Sequence, residues 1–232
     1  MNRLQAKNHI ISLLRLDDLT AILGELPSLP EKHLLGGLFS CLCHPEELVR
    51  WHAVSGFGLV VPASAASDME AARMVMRRFL WMLNDESGGI GWGIPEAMAE
   101  VMFHSSPLAA EYLHMLVSYT MDDGPELFQN GNFLEQELLQ AGVLWGLCRV
   151  AQAYRDELIG LGLDRNMEVY LSSRTGAVKG LACRLIGLLS LSEYSTLITA
   201  ACDDPRPVRI YHEGAFLDQT VAELAESALR SL

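Results

Sequence analysis

The sequence has few aromatic residues and no long apolar segment, and both shortages narrow the class of protein. Only 7% of the 232 residues are Phe, Trp or Tyr, whereas half are hydrophobic, mostly Leu and Ala. This composition is typical of packed helices rather than of a β-sandwich. No apolar run approaches the roughly 18 residues that a membrane-spanning helix needs. The sequence therefore predicts an all-α protein that does not enter a membrane.

Basic residues are also scarce. The 17 Lys and Arg residues stand against 29 Asp and Glu, which leaves a formal net charge of −12 at pH 7. A chain this acidic repels phosphate backbones, and no Lys/Arg cluster offsets the repulsion, which argues against nucleic acid as a partner. We expect a protein or peptide partner, with a small ligand as the other option.

The cysteines number only five, at positions 41, 43, 148, 183 and 202. An odd number without the spacing of a disulfide framework favours reduced thiols and a cytoplasmic location. Cys41-Leu42-Cys43-His44 suggests a metal site, but a closed zinc site needs four ligands and no second Cys/His pair follows at standard spacing. We predict buried thiols, no metal and no cofactor.

Proline, glycine and aspartate separate the helical segments. Pro62–Ser67 is predicted to be a connector of small residues, after which Asp68 caps a helix over Met69–Leu83. Gly56 and Gly58 fall inside a helix predicted over residues 48–60, where each glycine costs about 1 kcal/mol relative to alanine. Their presence indicates that a neighbouring helix passes close by.

Near the carboxyl end the hydrophobic pattern changes from helical to alternating. Val208–His212 alternates, Glu213-Gly214 is a turn pair, and residues 216–221 follow. This pattern predicts a short β-hairpin near residues 208–221, although a loop would have a similar pattern.

A short pattern recurs along the chain. The segment Val49–Ala53, followed by Gly58, is repeated as Val178–Ala182, followed by Gly187, and a third copy begins at Asp204–Arg209. The pattern resembles the HEAT family of helical-hairpin repeats, in which an Asp or Asn, then Val-Arg, opens the second helix. The resemblance covers four or five degenerate units. It implies one domain over residues 1–232, a right-handed α–α superhelix, in which the arginine reaches a neighbour's acidic turn.

The tryptophans suggest where such a solenoid binds. Aligned on their tryptophans, the repeats place Glu96 and Arg149 four residues beyond Trp92 and Trp145, one helical turn on and on the same face. In HEAT-like solenoids the second helices line the concave wall. The predicted binding groove comprises Trp51, Asp85, Glu86, Trp92, Glu96, Trp145, Arg149 and Arg184.

Residues 83–100, LNDESGGIGWGIPEAMAE, are the most distinctive part of this set. A glycine-rich turn at a helix start can hold an anion, with Trp92 as a stacking face and Glu96 as an acceptor or general base. The adjacent acidic residues argue against an anion. Alternatively, residues 85–87 cap a helix and the glycines allow close packing.

Two hypotheses of function follow. The first is a non-enzymatic interaction or scaffold module that binds a partner segment or ligand in its groove, and we favour it because no catalytic signature is recognisable. The second is an enzyme resembling the HEAT-like DNA glycosylases or bilin lyases. That enzyme would place Trp92 and Trp145 against a ring, with Glu96 or Asp85 stabilising positive charge.

Overall fold

The computed structural model describes residues 2–84, 91–122, 124, 131–165 and 167–232, without the side chains of Glu31 and Lys32. These residues form twelve α-helices and one two-stranded antiparallel sheet. The helices are α1 Arg3–Leu14, α2 Leu19–Glu25, α3 Glu31–Cys41, α4 Glu47–Ser67, α5 Met69–Leu83, α6 Ile94–His104, α7 Ser106–Ser118, α8 Glu137–Gly160, α9 Met167–Leu171, α10 Gly176–Leu189, α11 Ser195–Ala201 and α12 Val221–Leu229. The strands are β1 Pro207–His212 and β2 Ala215–Thr220.

Helix α5 begins and ends where the sequence predicts. The Asp68 side chain accepts hydrogen bonds from the backbone N–H groups of Glu70 and Ala71 at 3.0 and 3.1 Å. These bonds satisfy two of the amides that a helix start leaves without partners. The prediction that Asp68 caps the start of α5 is therefore confirmed.

The predicted connector over residues 62–67 is wrong, because α4 continues through Pro62 to Ser67. A proline inside a helix removes one backbone hydrogen bond and costs about 3 kcal/mol. Residues 63–67 are alanines and serines, so alanine favours the helix on the far side of the proline. Val61 is fully buried, and α4 packs against α3, α5 and α6. This packing outweighs the local cost of the proline.

The predicted hairpin is confirmed. Glu213 and Gly214 occupy the turn with φ values of 47° and 91°, the positive angles that a tight type I′ connection needs. Val208 and Ile210 are buried while Arg209 between them is exposed, so burial alternates as the sequence predicts as far as Ile210, after which Tyr211 is buried too. Arg209 lies across from Asp218 on β2, with a nitrogen-to-oxygen distance of 3.8 Å.

The chain divides into two compact units. Unit 1 comprises Met1–Ala109 together with Tyr211–Ala215, and unit 2 comprises Ala110–Ile210 together with Phe216–Leu232. The prediction of one domain over residues 1–232 stays a prediction.

The core of unit 1 contains a cluster of three phenylalanines. The ring centroids of Phe39, Phe57 and Phe79 lie 4.8 to 5.3 Å apart, in edge-on or tilted contacts. The guanidinium carbon of Arg78 lies 3.7 Å from the centroid of the Phe39 ring. The cluster joins α3, α4 and α5, because each helix contributes one ring.

The glycines of α4 mark close helix packing, as the sequence predicts. A Cβ on Gly58 would lie 2.6 Å from Cγ of Glu100 on α6, and a Cβ on Gly56 would lie 3.0 Å from Cδ2 of Leu38 on α3. A side chain at either position would force these neighbours to shift. The two glycines therefore allow α4 to approach α3 and α6.

In unit 2 the cation of the repeated pattern contacts the acidic turn of the next repeat, as the resemblance implies. Lys179, which stands where the pattern has arginine, places Nζ 3.1 Å from Oδ2 of Asp204 in the acidic turn of the next repeat. Arg206 also binds Asp204, through Nε at 2.8 Å and Nη2 at 2.5 Å. These two cations, Arg206 foremost, hold the pKa of Asp204 well below its usual range. In unit 1, by contrast, Arg50 donates to the carbonyls of its own preceding turn.

None of the helices that the structure describes is both long enough and apolar enough to cross a membrane. The cytoplasmic location expected from the cysteines stays a prediction.

Candidate binding site

The predicted groove residues fall into three groups. Trp51, Trp92 and Glu96 belong to unit 1, and Trp145, Arg149 and Arg184 belong to unit 2. Asp85 and Glu86, with the rest of the glycine-rich turn at residues 85–90, lie outside the described residues. The groove as a whole stays a prediction, so each residue is described within its own unit.

Trp51 is occupied by a contact within unit 1. Its indole stacks on the ring of Tyr211, with centroids 4.9 Å apart and an interplanar angle of 13°. One helical turn further along α4, the hydroxyl of Ser55 lies 3.0 Å from that of Tyr211. Trp51 and Ser55 thus share a face of the helix, as the spacing predicts. That face holds Tyr211, so at least one side of the indole is not available to a ligand.

Trp92 lies just before α6 rather than inside it. The helix begins at Ile94, and Gly93 before it has the left-handed φ of +69°, so Trp92 is separated from the helix by a non-helical residue. The expectation that Trp92 and Glu96 share one helical face is therefore wrong. Trp92 as a residue is 39% exposed, which is high for a tryptophan, so it remains available for contact with a partner.

Glu96 lies in the first turn of α6, and its carboxylate is only partly solvated. The residue as a whole is half-buried, but its Oε2 is shielded from solvent and has no hydrogen-bond partner among the described residues. Burial raises the pKa of Glu96 to about 7, and a hydrogen bond from its own backbone N–H, followed by the positive charge of Arg50, opposes the shift. This carboxyl group therefore binds its proton in the neutral pH range.

The predicted residues of unit 2 differ in accessibility. Trp145 is only 8% exposed in the middle of α8, so its indole presents almost no surface to a ligand. Arg149 and Arg184 are half-buried, on α8 and α10. Arg184 lines a cleft of about 360 Å³ at the surface of unit 2. Arg184 therefore lies in a concave site of this unit.

One exposed tryptophan was missed by the sequence comparison. Trp81 on α5 is 67% exposed, and Met74, seven residues earlier on the same side of the helix, is exposed too. The alignment of repeats on Trp51, Trp92 and Trp145 left Trp81 out because it does not stand in their register. The helical periodicity of α5 could have placed Trp81 on the exposed face of this helix, together with Met74.

Among the described residues, no group of three His, Cys, Asp or Glu side chains comes together as a metal site. Cys41 is buried, and burial raises the pKa of its thiol to about 11. Cys43 is exposed, contrary to the expectation that the pair is buried. The two side chains of the Cys41-Leu42-Cys43 segment thus lie in different environments.

No family model matches the chain, and no curated protein matches its sequence. Solved structures do match. A designed armadillo repeat protein has a TM-score of 0.52 at 14% identity, and the match covers 96% of this chain and 98% of that one. A second designed armadillo repeat protein, described as being in complex with peptide (KR)4, has a TM-score of 0.52 at 15% identity over the same shares. An engineered protein has a TM-score of 0.55 at 14% identity, covering 100% of this chain and 98% of that one.

These matches show the fold. The chain has an all-α repeat fold of the armadillo and HEAT type, with a small two-stranded sheet added. The resemblance noticed in the repeated Val-Arg pattern is thereby confirmed at the level of fold. Because fold alone does not define function, the binding properties of this chain have to be argued from its own residues.

Proposed function

We propose that the protein is a non-enzymatic interaction module that binds an extended, positively charged segment of a partner protein. The observation that carries the proposal is the combination of an armadillo-type repeat fold with a net charge of −12. An acidic repeat surface attracts cationic segments and speeds their association. A solved structure of the same fold is described as a complex with the basic peptide (KR)4, which supports this class of partner.

Within unit 1, Trp92 is the residue best suited to contact such a segment. Its indole is partly exposed, and tryptophan is the best aromatic partner for a Lys or Arg cation. A cation over this ring contributes about 0.5–1 kcal/mol at an exposed site. Trp92 would therefore assist binding, while the overall negative charge provides most of the attraction.

Glu96 does not support the enzymatic alternative in which its carboxylate stabilises developing positive charge. A carboxylate that stabilises developing positive charge must be ionised, but burial raises the pKa of Glu96 to about 7. In a large share of the molecules the Glu96 carboxyl group is therefore protonated and neutral at physiological pH. Asp85, the other carboxylate considered for this role, lies outside the described residues.

The test is a titration of the protein with a fluorescently labelled (KR)4 peptide, followed by anisotropy, with a (KE)4 peptide of equal length as control. We expect (KR)4 to bind and (KE)4 not to bind. The affinity for (KR)4 should fall at least tenfold when salt is raised from about 50 to about 300 mM, because exposed charges are screened. Equal binding of both peptides, or binding that does not respond to salt, would contradict the proposal.

The role of Trp92 is tested separately with Trp92→Ala and the matched variant Trp81→Ala. Both tryptophans are exposed in unit 1, so both substitutions should leave the melting temperature nearly unchanged. We expect Trp92→Ala to weaken (KR)4 binding two- to fivefold, in line with a single cation–π contact, and Trp81→Ala to have no effect. The reverse ranking would assign the contact to the outer face of α5.

A further inference from the structure

Unit 2 contains a cleft between α10, β2 and α12. Its volume is about 360 Å³, which lies at the lower end of the range of about 300–1,000 Å³ found for small-molecule sites. The lining combines one cation, three neutral polar side chains and an apolar wall. The residues that line it are Arg184, Gly187, Leu188, Leu217, Gln219, Leu224, Ser227, Ala228 and Ser231.

The charge of Arg184 is not balanced by a carboxylate. Among the described residues that line the cleft none is acidic, and the guanidinium forms no hydrogen bond or ion pair with the described part of the chain. The Cys148 thiol is close enough to feel its charge, but burial raises the pKa of this thiol to about 12, so it stays neutral. Arg206 in the same unit, by contrast, is paired with Asp204.

The apolar part of the cleft is built where two helices meet closely. A Cβ on Gly187 of α10 would lie 2.8 Å from Cα of Ala228 on α12, so the helices touch at this point. Leu224 is buried beside the contact, whereas Leu217 on β2 is 42% exposed. Covering such an exposed leucine with an apolar group is favourable, because it removes apolar surface from water.

Neutral hydrogen-bonding groups stand on the α12 side. Ser227 and Ser231 are four residues apart, so they lie on one face at the end of the chain, and Gln219 belongs to β2. The hydroxyl of Ser231 donates its proton to the carbonyl of Ser227 at 3.3 Å, so it is engaged within the chain. The Ser227 hydroxyl and the Gln219 amide can each donate to an anionic oxygen.

From this arrangement we infer that the cleft binds a carboxylate monoanion that is attached to a small branched aliphatic group. The guanidinium would donate two parallel hydrogen bonds to the carboxylate, and Leu188, Leu217 and Leu224 would cover the aliphatic part. A phosphate dianion fits less well, because a single arginine faces the repulsion of a protein that carries a net charge of −12. This site is independent of the cationic segment proposed above, since the ligand has the opposite charge.

Two sources supply this chemistry: a free short-chain carboxylic acid, or the terminal carboxylate of a peptide that ends in an aliphatic residue. The test uses 4-methylpentanoate for the first and acetyl-Ala-Ala-Leu for the second. Each is paired with its carboxamide, which has the same shape without the charge. Binding is followed by changes in the amide chemical shifts of the whole protein labelled with nitrogen-15.

We expect 4-methylpentanoate to bind with a Kd of about 1 mM, a usual affinity for so few atoms. Shift changes should concentrate on α10, β2 and α12, and the carboxamide should bind at least tenfold more weakly. If acetyl-Ala-Ala-Leu binds at least tenfold more tightly than 4-methylpentanoate, the natural source is a peptide terminus. If the free acid binds equally well or better, the source is a small acid.

The matched variants are Arg184→Gln and Arg174→Gln. Arg174 is an exposed arginine of the same unit that does not line the cleft, so its substitution controls for the loss of one positive charge. Arg184→Gln should weaken binding about tenfold to a hundredfold, because it removes a charge-assisted hydrogen-bonded pair, whereas Arg174→Gln should bind as the wild type does.

The inference is overturned if acid and carboxamide bind the wild type equally, if neither acid binds, or if the two variants have the same affinity. Should Arg184→Gln fail to fold, the comparison of acid with carboxamide on the wild type still decides between the outcomes. The (KR)4 titration stands apart from all of these measurements, so its failure would leave this result intact.

Discussion

Glu96 shows what burial does to one carboxyl group. Its folded-state pKa of about 7 lies above the ordinary value of 4.5, so the folded protein holds this proton more tightly than the unfolded chain does. The resulting stabilisation is complete below about pH 4.5 and is lost as the pH rises through about 7. Above that pH the Glu96 carboxylate is ionised in the folded protein although it is poorly solvated.

The variant Glu96→Gln removes this titration. Because Glu96 is half-buried rather than fully enclosed, we expect a moderate effect: the variant should gain roughly 2 kcal/mol over the wild type between about pH 4.5 and pH 8.5. Urea unfolding followed by circular dichroism across this range measures the difference. The control is Glu226→Gln, which removes one carboxylate at an exposed position on α12. A pH-independent difference for Glu96→Gln would show that this carboxylate is solvated.

At the residue scale, tryptophans that look equivalent in the sequence also have different environments in the structure. The sequence alignment treats Trp51, Trp92 and Trp145 as equivalent, yet one is stacked on Tyr211, one is partly exposed and one is buried. The residue type predicts an aromatic contact in each case. Which surface each ring meets depends on segments far away in the chain, such as residue 211 for Trp51.

At the scale of elements, α10 and α12 are held together by a glycine. Gly187 leaves room for Ala228, where a Cβ would come within 2.8 Å of a backbone atom. On α3, by contrast, a Cβ on Gly36 would meet nothing within 4 Å. Both glycines lie within helices, so the same substitution at the two positions separates helix propensity from packing.

We expect Gly36→Ala to stabilise the protein by up to about 1 kcal/mol, because alanine is the better helix former and no neighbour is disturbed. Gly187→Ala gains the same propensity but forces α10 and α12 apart, and it should destabilise by about 2 kcal/mol overall. Thermal unfolding of both variants beside the wild type gives the comparison. If both substitutions stabilise the protein, or if both destabilise it equally, α12 can shift to make room for a Cβ at residue 187 without a cost in stability.

Helix α4 illustrates how packing between elements overrides a local signal. Pro62 and the small residues after it predict a break, but the helix continues to Ser67. The hairpin illustrates the opposite case. Its signal was local, because Glu213 and Gly214 in the turn and the alternation in β1 act over a few residues, and it was therefore predictable from the sequence.

At the scale of the whole molecule, the dominant property is the net charge of −12. Like charges on one protein repel one another, and the repulsion opposes the compact state. Isolated ion pairs at the surface, such as that of Arg15 with Glu46, contribute little to stability and weaken with salt. Self-repulsion should therefore decide how the stability depends on salt.

We expect the free energy of unfolding to rise by on the order of 1 kcal/mol when sodium chloride is raised from about 20 to about 300 mM, because screening reduces the repulsion. Urea unfolding at fixed pH measures the effect, and potassium chloride should give the same result if the cause is screening. A decrease in stability with salt would mean that attractive ion pairs outweigh the repulsion.

The sequence by itself determined the repeat architecture, the hairpin and the acidic character, since periodicity, turn residues and charge are local or summed properties. The Val-Arg pattern also predicted a contact with a neighbouring acidic turn, which Lys179 makes with Asp204. Only the tertiary structure decided that Trp145 is buried, that Glu96 is poorly solvated and that Arg184 lines a cleft. The physical reason is that solvation and the neighbours of a side chain depend on segments distant in the chain, which no local pattern specifies.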